Sequence, residues 1–293
     1  MKTCNIRKML DWGYKNLKSK DIDSPRVDAR LILAYLMGTS PTGLYLEPEI
    51  HLDEKTVQKY KNLIEKRGRN YPVYYLLGKA NFMGLEFKVT GDTLIPRPET
   101  EIMTENVIDY LKKHTEKNDR IPSVLDMGTG CGNIGITIAN AVETQVTAVD
   151  IDKNALKVAK ENACFHGVKD KITFLMSNLF ENLDSSEKHK YDVIVSNPPY
   201  IKDREYVNIS KEVKKEPRIS LKGGKEGLDC IAKIIKAGPD YVKDNGQIFI
   251  EIGYSQKKEV ESLLKVNPKI KEYSIIKDYN DIDRIVRAGV INE

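Results

Sequence analysis

The chain has 293 residues, of which 40% are hydrophobic and 31% are charged. This length exceeds what one hydrophobic core usually organises, so two domains are expected, and the composition excludes a wholly disordered chain. The net charge of +4 is spread along the chain without a block of like charges, which favours an ordinary solvated surface over a nucleic-acid-binding tail.

Neither export nor membrane insertion is indicated by the sequence. Charged residues interrupt positions 1–20, so no signal-peptide core is present, and no apolar run approaches the ~20 residues that cross a bilayer. No two of the four cysteines form a C-x-x-C pair, and they stand at Cys4, Cys131, Cys164 and Cys230. Free thiols, no metal site and a cytoplasmic location are therefore expected.

The first third of the chain predicts a small bundle of helices. Apolar residues recur at helical spacing in three successive segments, over positions 6–17, 27–36 and 57–64. Ser24-Pro25 is typical of a helix start, and Gly38 is typical of a helix end. We expect these helices to form a domain over residues 1–75.

A hairpin and an alternating sheet are predicted from position 81 onward. Residues 81–90 alternate in the manner of a hairpin with Met83-Gly84 as its turn, and we expect a connector over residues 76–95. Strand and helix signals then alternate, which predicts a largely parallel α/β sheet. The predicted strands are residues 124–126, 146–149, 172–175, 191–195 and 247–252, with helices at 155–163 and 231–242.

The C-terminal residues have a different pattern. Residues 272–277 and 284–290 flank Asn280-Asp281 and predict an antiparallel hairpin that closes the sheet edge. The expected fold is therefore α/β, with a mostly parallel Rossmann-like sheet over residues 96–293, an antiparallel C-terminal hairpin and an N-terminal helical bundle.

A glycine-rich turn, D-M-G-T-G-C-G at 126–132, follows the first predicted strand of the sheet. Its alternate glycines let the backbone approach a ligand that side chains would block, and the helix that follows directs its first N–H groups toward a polar or anionic group. Asp150 ends the next strand about 20 residues later, where a carboxylate can accept both ribose hydroxyl protons. This combination predicts a nucleoside-containing cofactor.

The G-x-G-x-G spacing of this turn differs from the G-x-G-x-x-G of dinucleotide enzymes and resembles motif I of class I methyltransferases. The resemblance implies a class I methyltransferase fold, S-adenosylmethionine as cofactor and S-adenosylhomocysteine as product. It implies that Asp150 holds the ribose and that Asn178 and Leu179 flank the adenine. It places Gly128, Gly130 and Gly132 at the methionine part, and it counts Thr129 and Cys131 of the same turn among the cofactor-binding residues.

Ser196-Asn197-Pro198-Pro199-Tyr200 follows the fourth predicted strand, at the strand end where ligands bind in open α/β sheets. An amide or exocyclic amine nitrogen is a poor nucleophile, because its lone pair is delocalised. Two acceptors that grip its NH2 protons would orient it and stabilise the positive charge that develops during methyl transfer. We expect the Asn197 side-chain oxygen and the Pro198 carbonyl to be these acceptors, with Tyr200 as a flat face for a planar group.

The N-P-P-Y tetrapeptide resembles the (D/N/S)-P-P-(Y/F/W) motif of methyltransferases that act on planar NH2 groups, namely adenine, cytosine and protein glutamine methyltransferases. By that resemblance Asn197, Pro198, Pro199 and Tyr200 form the catalytic and substrate-binding segment, and Asn197 also lies against the cofactor. This chemistry requires no metal and no strong general base.

The order of several segments is similar to the HemK/PrmC family of peptide chain release factor N5-glutamine methyltransferases. They are I-P-R-P-E-T-E at 95–101, N-P-P-Y at 197–200, L-K-G-G-K-E-G-L-D at 221–229 and E-I-G-Y-S-Q at 251–256. The resemblance implies methylation of the glutamine in the Gly-Gly-Gln loop of class 1 release factors, with the helical domain recognising the rest of the factor. We expect Arg97 and Glu99 to contribute to substrate binding by bracing the domain junction beside the pocket.

Three other functions stay open. A ribosomal-protein glutamine methyltransferase shares the motifs. A nucleic-acid adenine N6-methyltransferase needs a basic groove and a means of extracting a base; no Lys/Arg-rich module stands out, so no direct nucleic-acid substrate is expected. A non-catalytic binding module would have no reason to keep the glycine-rich turn, Asp150 and N-P-P-Y together.

Two residues of the predicted site have open roles. Glu251 is either support for the site or an ordinary strand-end residue. The Cys131 thiol would make the site sensitive to oxidation if it were exposed and of lowered pKa.

Overall fold

The computed structural model describes residues 4–118 and 120–291. The chain divides into two compact units. One unit comprises Met1–Lys79 with Ser210–Lys215, and the other comprises Ala80–Ile209 with Glu216–Glu293.

The first unit is a helical bundle, as the sequence predicts. Its helices are α1 (Ile6–Lys18), α2 (Pro25–Met37), α3 (Glu54–Arg67) and the short α4 (Val73–Leu77). The Asp53 carboxylate caps α3 by accepting from the Thr56 N–H over 2.7 Å, and Gly38 ends α2 at a φ of 65°. Ser24 precedes Pro25 as expected but makes no side-chain cap bond. The apolar faces meet in a core that includes Leu17, Ile32, Leu33, Tyr60 and Ile64.

A buried arginine ties two distant parts of this unit together. Arg67 donates to Asp28 Oδ2 and to Glu212 Oε2, each over 2.6 Å. Arg67 and Asp28 are both buried, and a buried charge is tolerated only when it is paired. This pairing explains why residues 210–215 belong to a unit that is otherwise built from the first 79 residues.

The second unit begins with the predicted hairpin. Strands β1 (Lys79–Phe82) and β2 (Leu85–Lys88) are joined by Met83 and Gly84, whose φ angles of 47° and 78° suit a two-residue turn. Phe82 and Phe87 are buried and meet edge to face.

A seven-stranded sheet follows the hairpin. Its strands are β3 (Ser123–Met127), β4 (Gln145–Asp150), β5 (Ile172–Met176), β6 (Tyr191–Ser196), β7 (Val242–Glu251), β8 (Ile270–Lys277) and β9 (Asp283–Val290). They lie in the order β5-β4-β3-β6-β7-β9-β8. The first five strands in that order are parallel, while β9 pairs antiparallel with both β7 and β8. The mostly parallel Rossmann-like sheet and its antiparallel C-terminal hairpin are therefore confirmed.

Helices connect and cover these strands. They are α5 (Pro98–Asn118), α6 (Asn133–Ala141), α7 (Lys153–Phe165), α8 (Asp203–Tyr206), α9 (Asp229–Ala237) and α10 (Lys257–Lys265). The prediction of a helix over 231–242 was wrong in its second half, because Gly238 and Pro239 end α9 in a 3-10 turn and β7 already begins at Val242. None of the helices in the two described stretches is long and apolar enough to span a membrane.

The register of two central strands determines where the two motifs of the predicted site meet. In the parallel pair of β3 and β6, Met127 lies opposite Ser196. The glycine-rich turn and the N-P-P-Y segment therefore leave neighbouring strands at the same edge of the sheet, where ligands bind in folds of this class. A bond from Ser196 Oγ to the Met127 carbonyl, over 2.7 Å, fixes the two strand ends together.

Candidate active site

The glycines of the turn between β3 and α6 serve two different purposes. Gly128, Gly130 and Gly132 have φ angles of 75°, 57° and 86°, a region that side chains rarely adopt. A Cβ at Gly128 or Gly130 would meet nothing within 4 Å, so both positions face open space. At Gly132 a Cβ would lie 2.6 Å from the Ile136 side chain of α6 and 3.2 Å from Ala159 Cβ of α7, so this glycine allows the two helices to pack.

A buried carboxylate holds the turn from beneath. Asp126 Oδ2 accepts from Thr129 Oγ1 over 2.6 Å and from the Gly135 N–H over 3.0 Å. Burial raises the pKa of Asp126 to about 6. Because its hydroxyl is committed to Asp126, Thr129 is placed to contribute its backbone, not its side chain, to a cofactor.

Asp150 stands at the end of β4 with both carboxylate oxygens oriented by backbone. Oδ2 accepts from the Gly130 N–H over 2.8 Å, and Oδ1 accepts from the Asp152 N–H over 2.9 Å. Burial raises the pKa of this carboxyl, against the effect of those hydrogen bonds. Each oxygen retains a second lone pair, so Asp150 can accept two further hydrogen bonds from a vicinal diol.

A cleft of about 320 Å³ brings six of the nine predicted cofactor residues together, a size that falls in the range of small-molecule sites. Thr129, Cys131 and Gly132 are not among the residues that line it. Ile151 also lines it and is 46% exposed, which the sequence signals only as an apolar residue after an acidic strand end. Asn178 donates to Glu181 Oε1 over 2.7 Å, which orients its side chain. The predicted residues that line the cleft are Gly128, Gly130, Asp150, Asn178, Leu179, Asn197 and Pro199.

The N-P-P-Y segment is held from two sides. Asn197 Nδ2 donates to Thr100 Oγ1 over 2.9 Å, and the Tyr200 hydroxyl donates to Glu251 Oε1 over 3.3 Å. Because the Asn197 NH2 group is engaged in this way, its Oδ1 is the amide atom turned to other partners. Burial raises the pKa of Tyr200, so its ring presents a neutral phenol at physiological pH.

Glycines of the segment 221–229 pack directly on this backbone. A Cβ at Gly223 would lie 2.5 Å from the Pro199 carbonyl oxygen, and a Cβ at Gly227 would collide with the Tyr200 carbonyl oxygen. Gln256 Nε2 in turn donates to the Tyr200 carbonyl over 3.1 Å. These close approaches explain why glycines occupy positions 223 and 227.

Arg97 and Glu99 have different surroundings. Arg97 Nη2 donates to Glu216 Oε1 over 2.6 Å, while Glu216 Oε2 accepts from the Ile95 N–H over 3.1 Å. The buried Glu216 thus fixes the loop that leads into α5. Glu99 lies in the first turn of α5, where a carboxylate favours the helix. Arg97 also lines a small recess that it shares with Thr100 and Asn197.

Cys131 does not meet the condition for a redox-sensitive thiol. The residue is 1% exposed, and burial raises the pKa of its thiol to about 12. A protonated and buried thiol is inert. The condition under which Cys131 would make the site sensitive to oxidation is therefore not fulfilled.

Two residues that support the site escaped the sequence analysis as contacts. Thr100 and Glu216 are each far in sequence from Asn197 or Arg97, which they bind. Their sequence context is the signal that marks them. Thr100 belongs to the I-P-R-P-E-T-E segment, and Glu216 belongs to the Glu216-Pro217 pair that precedes the segment 221–229. For Glu251 the structure favours the first of its two interpretations, because it bonds both Thr100 and Tyr200.

Metal-ligating side chains do not cluster near the cleft. Among residues 4–118 and 120–291, no group of three or more His, Cys, Asp or Glu side chains could hold a metal ion.

Comparisons with known proteins address the whole chain. Residues 8–78 match the PrmC N-terminal domain, and residues 102–226 match the methyltransferase small domain. A release factor glutamine methyltransferase of Clostridium botulinum is 36% identical over 97% of this chain and 98% of its own length. Another, of Aquifex aeolicus, is 36% identical over 94% of each chain.

Solved structures share the fold at much lower identity. The hMettl16 catalytic domain in complex with a 3'UTR hairpin has a TM-score of 0.53 and 16% identity, covering 72% of this chain and 77% of that one. A methyltransferase from Pyrococcus furiosus has a TM-score of 0.50 and 16% identity, over 72% of this chain and 91% of that one. At this identity the two structures establish the Rossmann-like methyltransferase fold alone.

Proposed function

The chain belongs to the release factor glutamine methyltransferase family, and we propose that it transfers a methyl group from S-adenosylmethionine to a glutamine side chain. The acceptor is the amide N5 of the glutamine in the Gly-Gly-Gln loop of class 1 peptide chain release factors. S-adenosylhomocysteine is the second product, and the reaction takes place in the cytoplasm.

The single observation that carries this proposal is the orientation of the Asn197 amide. Its NH2 group is bound to Thr100 Oγ1, which turns Oδ1 toward other partners, beside the cleft that Asn197 lines. The NH2 group of the substrate amide has two protons to donate. Asn197 Oδ1 can accept a hydrogen bond from one of them, and the Pro198 carbonyl can accept a hydrogen bond from the other. The grip localises the nitrogen lone pair, aims it along one direction and stabilises the charge that develops on it.

The cleft fits S-adenosylmethionine on the chemistry of its walls. Gly128 and Gly130 leave space for close backbone approach, and Asp150 offers two oriented acceptors for ribose hydroxyls. Asn178 and Leu179 line the same cleft and suit an adenine. When bound, the cofactor supplies a sulfonium methyl group, which is the electrophile of the reaction.

The protein's own residues and solvent water account for the remaining steps. The neutral Tyr200 ring gives a planar amide a flat surface, and water takes the proton that the methylated nitrogen releases. We further propose that residues 1–75 recognise the body of the release factor, that residues 76–95 connect, and that residues 96–293 perform the transfer. Arg97 and Glu99 contribute to substrate binding, Arg97 through the loop that Glu216 fixes and Glu99 from the first turn of α5.

Two other acceptors are chemically compatible with N-P-P-Y. A ribosomal-protein glutamine has the same amide, and an adenine amino group has the same planar NH2. The names of the full-length relatives favour the release factor over both. The fold cannot decide between protein and nucleic acid, because the hMettl16 domain that shares it was solved with a 3'UTR hairpin.

Transfer of labelled methyl from S-adenosylmethionine to four acceptors in parallel tests the proposal. The acceptors are a purified class 1 release factor, its loop variant with alanine in place of glutamine, purified ribosomal proteins and unmethylated duplex DNA. Label on the intact release factor alone is the expected result. Label on ribosomal proteins or DNA, or equal label on the loop variant, would overturn the assignment of the acceptor.

A further inference from the structure

A continuous chain of hydrogen bonds runs behind the N-P-P-Y segment, and it starts at a buried carboxylate. Thr100 Oγ1 donates to Glu251 Oε2 over 2.6 Å and accepts from Asn197 Nδ2 over 2.9 Å. The Tyr200 hydroxyl donates to the other oxygen, Glu251 Oε1, over 3.3 Å. Thr100 and Glu251 are 1% and 0% exposed, so bulk water does not compete for these bonds.

The direction of each bond in this chain follows from the one before it. An ionised carboxylate can only accept, so the Thr100 hydroxyl proton must point at Glu251. The Thr100 oxygen then has only lone pairs to offer Asn197, so it can accept a hydrogen bond but cannot donate one. It therefore binds the NH2 end of the amide. The carbonyl end of Asn197 must therefore face away from Thr100.

We propose that Thr100, polarised by Glu251, is a positioning residue that determines which end of the Asn197 amide faces the acceptor. This inference rests on the proposed function, since it is the glutamine NH2 that requires an oxygen at that place. Thr100 touches neither substrate nor cofactor in this role. It acts through Asn197.

Reversal of the donor and acceptor roles along these hydrogen bonds would disable the site. If Glu251 carried a proton, it could donate to Thr100, whose hydroxyl could then donate to Asn197 and draw Oδ1 toward itself. The amide would turn by half a revolution and present its own NH2 to the NH2 of the acceptor. Two donors facing each other form no hydrogen bond, so the acceptor nitrogen would lose its orientation.

Polar and charged groups from several elements act on the Glu251 carboxyl. Burial raises the pKa of Glu251 to about 7, with the Thr100 and Tyr200 hydroxyls and the Arg284 guanidinium acting against it and Glu99 acting with it. Arg97 also lies near enough to lower the pKa of Tyr200. Glu251 therefore changes from donor to acceptor as the pH rises through about 7.

Substitution of Thr100 separates positioning from packing. Thr100→Val keeps the shape and removes the hydroxyl, and we expect kcat to fall by about 30-fold while affinity for S-adenosylhomocysteine stays within about twofold. Thr100→Ser restores the hydroxyl and should return kcat to within about threefold of the wild type. The matched control is Thr104→Val, one turn further along α5, whose buried hydroxyl donates only to the Thr100 backbone carbonyl.

The pH profile supplies a readout that a structural role would not change. For the wild type, kcat should rise as Glu251 loses its proton between about pH 6 and about pH 8. Glu251→Gln keeps an acceptor oxygen for Thr100 but does not titrate, so that rise should disappear. A rise that persists in Glu251→Gln would overturn the role of the carboxylate.

The outcomes distinguish this inference from the proposed function. If the wild type labels the release factor but Thr100→Val matches the wild type, or falls no further than Thr104→Val, the inference fails and the function stands. If the wild type transfers no labelled methyl to the release factor, the proposed function fails. The orientation of the Asn197 amide is then measured directly by NMR. The side-chain amide resonances of Asn197 should then shift in Thr100→Val and not in Thr104→Val, and unchanged resonances would overturn the inference.

Discussion

Asn197 and Asp150 line the same cleft, and we expect their oxygens to bind different molecules, the glutamine amide and the cofactor ribose. Asn197→Ala removes one of the two acceptors for the glutamine NH2, a loss that costs about 100- to 1000-fold in kcat at comparable sites. Affinity for S-adenosylhomocysteine, measured by calorimetry, should stay within about twofold, because Asn197 grips the acceptor more than the donor. A comparable loss of cofactor affinity would contradict that division of roles.

The matched opposite variant is Asp150→Asn, which removes the charge and one acceptor from the ribose end of the cleft. Charge-assisted hydrogen bonds contribute about 1.5–3 kcal/mol, so cofactor affinity should fall by about 10- to 100-fold. At saturating cofactor kcat should remain near the wild-type value. If both variants impaired the same parameter, the two ends of the cleft would have been assigned wrongly.

The cysteines should differ sharply in reactivity. Cys131 is buried with the pKa of its thiol raised to about 12, whereas Cys164 is exposed. Because only the thiolate reacts, iodoacetamide should label Cys164 well before Cys131 in the native protein. Mass spectrometry of timed digests would show the order, and early labelling of Cys131 would contradict its burial.

At the scale of elements, the sequence predicted those features whose causes are local. The glycine-rich turn, Asp150 and N-P-P-Y could be found because each is a short pattern at a strand end. The partnership of Thr100 with Asn197 could not, since it joins the start of α5 to the end of β6 across 97 positions. The helix predicted over 231–242 failed for a local reason, since Pro239 breaks a stretch whose apolar spacing otherwise continues.

An ion cluster at the start of β6 contributes pH-dependent stability. Burial alone would raise the pKa of Asp192, but Arg120, the Ser123 N–H and Lys243 outweigh it and hold that pKa well below its usual range. A depressed pKa contributes stability that is present above about pH 4 and is lost as the pH falls further. Asp192 is 1% exposed, so its carboxylate depends on these partners and not on water for its hydrogen bonds.

Asp192→Asn should therefore lower the free energy of unfolding by about 2–4 kcal/mol at neutral pH. The difference between wild type and variant, measured by urea denaturation, should shrink as the pH falls below about 4. Asp170→Asn, on an exposed turn, is the control and should change little. A difference that is constant with pH would contradict the role of the Asp192 charge.

At the scale of the whole molecule, the positive surplus lies in the N-terminal part of the chain, so the expectation that it is spread along the chain was wrong, although no block of like charges is present. Residues 1–79 contain 15 lysines and arginines against 9 aspartates and glutamates, while the remaining residues contain 32 against 34. The helical unit thus carries the positive surplus of the protein. Such an excess attracts an acidic surface and is screened by salt, with a Debye length of about 8 Å at physiological ionic strength.

If residues 1–75 recognise the release factor, salt should weaken that recognition selectively. Raising the salt concentration from about 0.05 M to about 0.5 M should raise KM for the intact factor several-fold, with kcat nearly unchanged. A short peptide that contains only the Gly-Gly-Gln loop should show little salt dependence. If KM rose equally with salt for the peptide and for the intact factor, the helical unit would have no part in recognising the release factor.

The central claim is that one amide nitrogen receives the methyl group. Tandem mass spectrometry of a class 1 release factor, incubated with the enzyme and S-adenosylmethionine, would locate the added methyl within the fragment sequence. We predict a single methyl on the side chain of the loop glutamine, and its initial rate of appearance should fall by about 100- to 1000-fold with Asn197→Ala. A methyl at any other residue, or the same modification at the wild-type rate with Asn197→Ala, would contradict the account.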